Sequence, residues 1–370
     1  MGLIKEVKYS YNDVTIVPAV VSHIKSRKEC NPFNEDGVLP IFTAPMNTVV
    51  NEHNFKKFEE NNIIPILPRT VDFKIRYDNS FNGKWSAYSK DEFKEHFVEK
   101  LNNVTTPFKV LIDVANGHMN ELLELCKEAK RNNGDNLIIM TGNIANPETY
   151  IEYCRCGIDY VRCSIGTGCG CITSSNVSVH YPIVSLLSEI DDIRKRIDTI
   201  GMNNEDTEIF VETKVIADGG IRNYSDAIKA LALGADYVMI GGLFSQMLES
   251  AAPTLGFNFE EIEVDDSIIV KEEKTYKRLG YKIVEFPLYK KFYGMASKEG
   301  QIALNGEKKN TSEGISKILS VKYTINGWTT NFIDYLRSAM SYTGCFSLEE
   351  FKNNVTLVVN SNKTYDSVNK

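Results

Sequence analysis

The sequence predicts a closed parallel (β/α)8 barrel, a TIM barrel, and three observations carry that expectation. Eight short apolar runs rich in β-branched residues alternate with amphipathic stretches along 370 residues. The runs are nearly continuous rather than alternating, as suits strands buried on both faces. Polar and reactive side chains gather just after them, at the end of the barrel where such folds keep their chemistry. An open doubly wound sheet is the architectural alternative.

The strands are expected at 39–46 (LPIFTAPM), 63–69 (IIPILPR), 109–117 (KVLIDVANG) and 136–143 (NLIIMTGN). They continue at 159–166 (DYVRCSIG), 214–220 (KVIADGG), 236–242 (DYVMIGG) and 291–297 (KFYGMAS). Helical patterns lie between them, including MNELLELCKEAKRN, NPETYIEYCRCG, PIVSLLSEIDDIRKRI and SDAIKALALG. Asn146 and Pro147 read as an N-cap and first-turn pair, and Gly157 and Gly234 as helix C-terminal glycines. Two stretches break the rhythm. Residues 262–286 read as a polar, partly β finger between the seventh and eighth strands, and 298–314 as a mobile, Gly-punctuated flap. The expectation is one domain over 1–370.

A net charge of −7 argues against a general nucleic-acid binder. No run approaches the roughly 20 apolar residues of a membrane span. The start, MGLIKEVKYSYNDVTIVPAV, lacks a secretory pattern, so a reducing cytoplasm is the expected setting. Residues at the expected strand ends are Asn47, Arg69, Asp113, Asn116, Asn143, Cys169, Cys171, Asp218 and Tyr293. Plain turns would more often carry Gly, Pro and Ser.

Five of the eight cysteines fall between Cys154 and Cys171. Cys154/Cys156 and Cys169/Cys171 form C-x-C pairs, whereas structural zinc sites usually open with two to four intervening residues. A C-x-C disulfide is strained and disfavoured in the cytosol. Cys163 alternates with Val161 and Ile165 and reads as a small buried hydrophobe. Cys171 differs, because GTGCGCITSS is a Gly-rich loop straight after a strand. Such a loop can cradle a phosphate or a cation, or expose a sulfur, and Thr173 offers a hydroxyl to a proton relay. Spacing alone leaves these readings open.

SIGTGCGCIT resembles the cysteine loop of the IMP dehydrogenase/GMP reductase family. The resemblance spreads over most of the chain: YNDVTIVP, FTAPMNTV, LIDVANGH, TGNI, IADGGIRNYSDAIKALALGADYVMIGG, KFYGMASKEGQ and LRSAMSYTG. It implies a barrel that binds a purine nucleotide, GMP or IMP, with Cys171 as the nucleophile attacking purine C2. The phosphate would sit on the amides of Gly220, Gly241 and Gly242, with Tyr293 reaching it. Asp218 would accept the ribose hydroxyls, and Met46, Met295 and Ala296 would line the substrate pocket. Asp113, Asn143 and Ala115 would face the nicotinamide, and Arg69 the 2′-phosphate of NADPH. Carbonyls of Gly166, Gly168 and Cys171 would hold a monovalent cation, K+. Family members are homotetramers, so a homotetramer is expected on the same basis.

The flap separates the two branches of the family. Dehydrogenases activate water with an Arg–Tyr pair on a long flap, and between Ser297 and Glu313 this chain has neither residue type. No regulatory insertion interrupts 70–108. The expectation is therefore NADPH-dependent reduction of GMP to IMP and ammonia, with Thr173 and Glu313 moving the proton. The plain alternative for Glu313 is a solvated flap charge, and for Arg69 a surface arginine. Departures from the family pattern are Cys169 in place of a phosphate-binding serine, Ser164 in place of a glycine, the long finger, and a dehydrogenase-like Cys-Ile-Thr. The rivals are an IMP dehydrogenase producing XMP with NAD+ and a non-catalytic nucleotide-binding paralogue.

Overall fold

The computed structural model describes residues 5–201, 212–308 and 310–360, with side chains left aside at 198–201. Eight parallel strands form one sheet: β1 (Ile41–Thr43), β2 (Ile66–Leu67), β3 (Trp85–Tyr88), β4 (Phe108–Ile112), β5 (Leu137–Ile144), β6 (Tyr160–Cys163), β7 (Lys214–Asp218) and β8 (Tyr237–Ile240). Their order is β1-β8-β7-β6-β5-β4-β3-β2. A parallel bridge from Phe42 to Ile64 joins the two ends, so the sheet closes into the (β/α)8 barrel.

Period 2 along the strands sorts the side chains. Val110, Ile112, Val215, Ala217, Val238 and Ile240 point outward into the large core shared with the helices. Phe42, Ile66, Trp85, Leu111, Met140, Ile216, Tyr237 and Met239 fill the interior. Aromatic rings plug that interior: Phe42 lies 4.9 Å from Tyr237, and Trp85 lies 5.1 Å from Tyr160, centroid to centroid. The floor of any site above them is therefore dry and rigid.

The helices follow from their patterns. The helix Asn120–Asn133 buries Leu122, Leu123, Cys126 and Ala129 at helical spacing. Helices Thr149–Arg155 and Tyr224–Ala232 end at Gly157 and Gly234, both in left-handed backbone, as the C-terminal glycines predict. The Asn146–Pro147 pair sits one step before the start: Asn146 Oδ1 accepts from the Glu148 amide at 3.1 Å, and the helix begins at Thr149.

The eighth strand needs correction. Barrel position β3 is WSAY at Trp85–Tyr88, which the sequence reading passed over because four residues without a β-branched side chain carry little strand signal. Tyr289–Tyr293 instead lies outside the barrel, between Thr254–Leu255 and Ser316–Ser320 in a three-stranded antiparallel sheet. The finger consequently follows the last barrel strand. It is a meander of Ile268–Lys271, Lys274–Leu279 and Lys282–Glu285. Glu273 anchors it, accepting from Lys322 Nζ and Tyr323 Oη, each at 2.9 Å.

The segment expected as a flap opens with a helix, Lys298–Asn305, capped by Ser297 and ended by Gly306 in left-handed backbone. Among the described residues no helix is long and apolar enough to cross a membrane.

Candidate active site

The interior phase of the strands continues one layer above the aromatic plug. Two residues beyond Ala44, Leu111, Tyr160, Ile216 and Met239 come Met46, Asp113, Arg162, Asp218 and Gly241. All five line a single cavity of about 230 Å3 at the C-terminal mouth of the barrel. Its wall also holds Gly168, Cys169, Cys171, Gly220, Gly242, Met295, Ala296 and Glu313. Met46, Asp113, Arg162, Asp218 and Gly241, far apart in sequence, thus meet because each lies at or just beyond the C-terminal end of a barrel strand.

Arg162 is the residue that sequence reasoning missed. Its Nε and Nη2 donate to Asp218 Oδ2, both at 2.8 Å, and its Nη1 donates to Asp113 Oδ1 at 3.1 Å. Burial works against the guanidinium charge, but the two carboxylates outweigh it and raise its pKa. Asn143 Nδ2 donates to Asp218 Oδ2 at 2.7 Å and to the Ser164 carbonyl at 2.8 Å. Among the described residues, the side-chain bonds to Asp218 all fall on Oδ2. Arg69 Nη1 donates to the Asp113 carbonyl at 3.1 Å, while its Nε lies 3.9 Å from Asp113 Oδ2. The signal for Arg162 was present: an arginine in an apolar strand, in phase with the interior.

The cysteine loop follows β6. The Cys171 amide donates to the Gly168 carbonyl at 3.0 Å, and Ser174 Oγ to the Gly166 carbonyl at 2.8 Å. Ser164 has φ 117°, a region that favours glycine, and its hydroxyl shares a hydrogen bond with that of Thr167. The departure is thus accommodated with a strained backbone and a local side-chain bond.

The flap segment is stitched to this loop. Cys171 and Gly314 form an antiparallel bridge, the Ile172 amide donates to the Glu313 carbonyl at 2.9 Å, and the Ile315 amide to Gly170 at 3.0 Å. So close a contact demands small residues: a Cβ on Gly314 would lie 3.0 Å from the Gly170 carbonyl oxygen and 2.7 Å from the Ser297 amide nitrogen. The stitching brings three side chains into line. Thr173 Oγ1 lies 3.2 Å from Cys171 Sγ and donates to Glu313 Oε2 at 2.7 Å. The carboxylate reaches the sulfur's neighbourhood across 140 residues of sequence. Such an array can activate a nucleophile and pass a proton.

The other cysteines are differently placed. Cys154, Cys156 and Cys163 are buried, Cys169 is exposed and Cys171 is partly so. Burial pushes the Cys163 thiol far up and that of Cys156 up to about 11, so both stay protonated and unreactive. Among the described residues no group of three or more His, Cys, Asp or Glu is placed to hold a metal ion.

Tyr293 does not line the cavity; its hydroxyl accepts from Asn47 Nδ2 at 2.8 Å. The wall position belongs to its neighbour Phe292, because alternation along the strand sends consecutive side chains to opposite faces. A Cβ on Gly170 would lie 2.9 Å from the Phe292 ring, which shows how closely the two approach. Asn116 serves its own turn, accepting from the His118 amide at 3.0 Å, and Ala115 is exposed at the mouth.

A sulfur, a hydroxyl and a carboxylate thus meet over the aromatic floor of a (β/α)8 barrel. Residues 89–266 match the IMP dehydrogenase / GMP reductase domain. It is 29% identical to the GMP reductase of Bacillus licheniformis, over 97% of this chain and 98% of the relative. Similarity to the GMP reductase of Bacillus subtilis is 28% over the same shares. To that of Staphylococcus epidermidis it is 27%, over 93% of this chain and 94% of the relative.

Proposed function

We propose that this protein is a GMP reductase that converts GMP, NADPH and a proton to IMP, ammonia and NADP+, a purine salvage reaction. The observation that carries the reading is the line Cys171 Sγ–Thr173 Oγ1–Glu313 Oε2, at 3.2 and 2.7 Å. Cys171 adds to C2 of the purine. Thr173 and Glu313 deliver a proton to the exocyclic amine, which leaves as ammonia, so that C2 is held as a thioimidate. Reduced nicotinamide supplies, when bound, the hydride for C2. Collapse then breaks the C–S bond and returns the thiolate.

The same cavity suits the rest of the nucleotide. Oδ1 of Asp218 is open to the ribose hydroxyls, and Gly220, Gly241 and Gly242 leave backbone at the wall for the phosphate. Met46, Met295 and Ala296 give the base an apolar bed. On the cofactor side, Asp113 lies in the wall, Asn143 braces Asp218, Ala115 is exposed at the mouth, and the half-buried Arg69 suits a 2′-phosphate. The carbonyls of Gly166, Gly168 and Cys171 suit K+; the first two each accept one bond and keep a second lone pair. The assembly is a cytoplasmic homotetramer in this reading.

One observation favours the dehydrogenase alternative: Ile172 follows the nucleophile, as in a Cys-Ile-Thr loop. Against it, 298–312 holds no Arg or Tyr to ready a water molecule. Incubation with GMP and NADPH should consume NADPH and release ammonia. Formation of XMP and NADH from IMP and NAD+, with no NADPH loss on GMP, would overturn the assignment.

A further inference from the structure

We infer that Lys317 binds the 5′-phosphate of the substrate and supplies the charge that the cradle's own side chains lack. The inference rests on the nucleotide reading above. The phosphate end of the cavity is built from glycine amides, a thiol and a phenyl ring: Cys169 stands where the family resemblance leads one to expect a serine hydroxyl, and the wall carries Phe292 rather than its neighbour Tyr293. Neither side chain is a strong donor to a dianion. Arg162, the cation in the wall, is already held between Asp113 and Asp218.

Three observations point to Lys317. In the antiparallel pair it lies directly opposite Phe292, so the two side chains share a face. That face is the cradle's, since a Cβ on Gly242 would lie 3.8 Å from the Phe292 ring and 2.8 Å from the Cys169 Cβ. The Lys317 Nζ lies 3.4 Å from the Cys169 carbonyl, a long bond that a phosphate oxygen would readily replace. Finally, Lys317 lines an adjoining cavity of about 400 Å3 that shares Gly168, Cys169 and Gly220 with the first. The ammonium of this exposed side chain therefore stands beside Cys169, a residue that lines both cavities. A lysine point charge suits this role, as it needs no fixed fork geometry.

The test measures binding of GMP and guanosine by calorimetry, and turnover of GMP, in wild type, Lys317→Ala, Lys317→Arg and Lys291→Ala. Lys291 is the exposed control on the same strand pair, one residue off and thus on the opposite face. Loss of a charge-assisted hydrogen bond should weaken GMP about ten- to hundredfold in Lys317→Ala. Guanosine affinity should be unchanged, kcat should stay within about threefold, and Lys317→Arg should recover most of the loss. Equal GMP affinity in wild type and Lys317→Ala, or a parallel loss for guanosine, would overturn the assignment to Lys317. Wild type that binds GMP without consuming NADPH would overturn the reductase reading, with Lys317 then judged on the dissociation constants. Wild type that binds GMP no tighter than guanosine would overturn both.

Discussion

Replacing Thr173 by valine removes one oxygen and keeps the shape of the side chain. That oxygen is the sole link, among the described residues, between the Cys171 sulfur at 3.2 Å and the Glu313 carboxylate at 2.7 Å. With it gone, no hydrogen-bonded path joins the nucleophile to the flap carboxylate. A positioned proton donor contributes about 10²–10⁴ in rate, so kcat should fall by that factor, a barrier about 3–5 kcal/mol higher. KM should stay within about threefold, because Thr173 is not part of the cavity wall. Glu313→Gln should behave alike, and the double variant should be no slower than the worse single one, since two members of one relay act as a unit. The assay is NADPH consumption on GMP under steady-state conditions, with melting temperature as a check on folding. Multiplicative losses in the double variant, or a Thr173→Val enzyme with more than about a third of wild-type kcat, would refute the relay.

Arg162→Met should destabilise the fold by about 3–5 kcal/mol in urea denaturation, because it leaves two carboxylates facing each other without their shared cation; a loss below about 1 kcal/mol would show that the clamp is not structural. Lys290 is buried, with its ammonium donating to the carbonyls of Ser250 and Ala252 at 3.1 and 2.9 Å. Burial pushes its pKa from 10.5 down to about 8, with the Glu249 charge opposing. Between those values the unfolded chain holds a proton that the folded chain has released, so wild type should gain stability as pH rises across the window. Relative to Lys290→Met the gain should be roughly 3 kcal/mol, and parallel stability curves for the two proteins would contradict it.

The barrel was legible because its interior demands a pattern that few other folds share. Seven of its strands were placed from apolar runs and the polar residues that end them. Trp85–Tyr88 escaped because it has no β-branched residue and its Trp85 packs against rings on distant strands, which no local window reveals. The strand Tyr289–Tyr293 imitated a barrel strand because two of its five residues are buried, yet its partners are antiparallel and outside the barrel.

Within the site, Cys171, Thr173 and Asp218 could be read from their motifs, since loop and strand-end positions fix where such residues go. Glu313 was harder: its role depends on backbone bonds from 313–315 to 170–172 that join segments distant in sequence. Tyr293 lies one residue from the wall position that Phe292 takes, and with side chains alternating at period 2 one residue is a whole face. Arg162 was hidden by the habit of reading a strand for its apolar members. Its position in the interior phase carried the information all along.

The most direct test is intact-protein mass spectrometry after acid quenching during turnover of GMP, followed by peptide mapping. The account predicts a purine ribonucleotide, its exocyclic amine lost, joined through sulfur to Cys171 and absent from Cys171→Ser. No adduct in an enzyme that is consuming NADPH, or an adduct on any other cysteine, would contradict it.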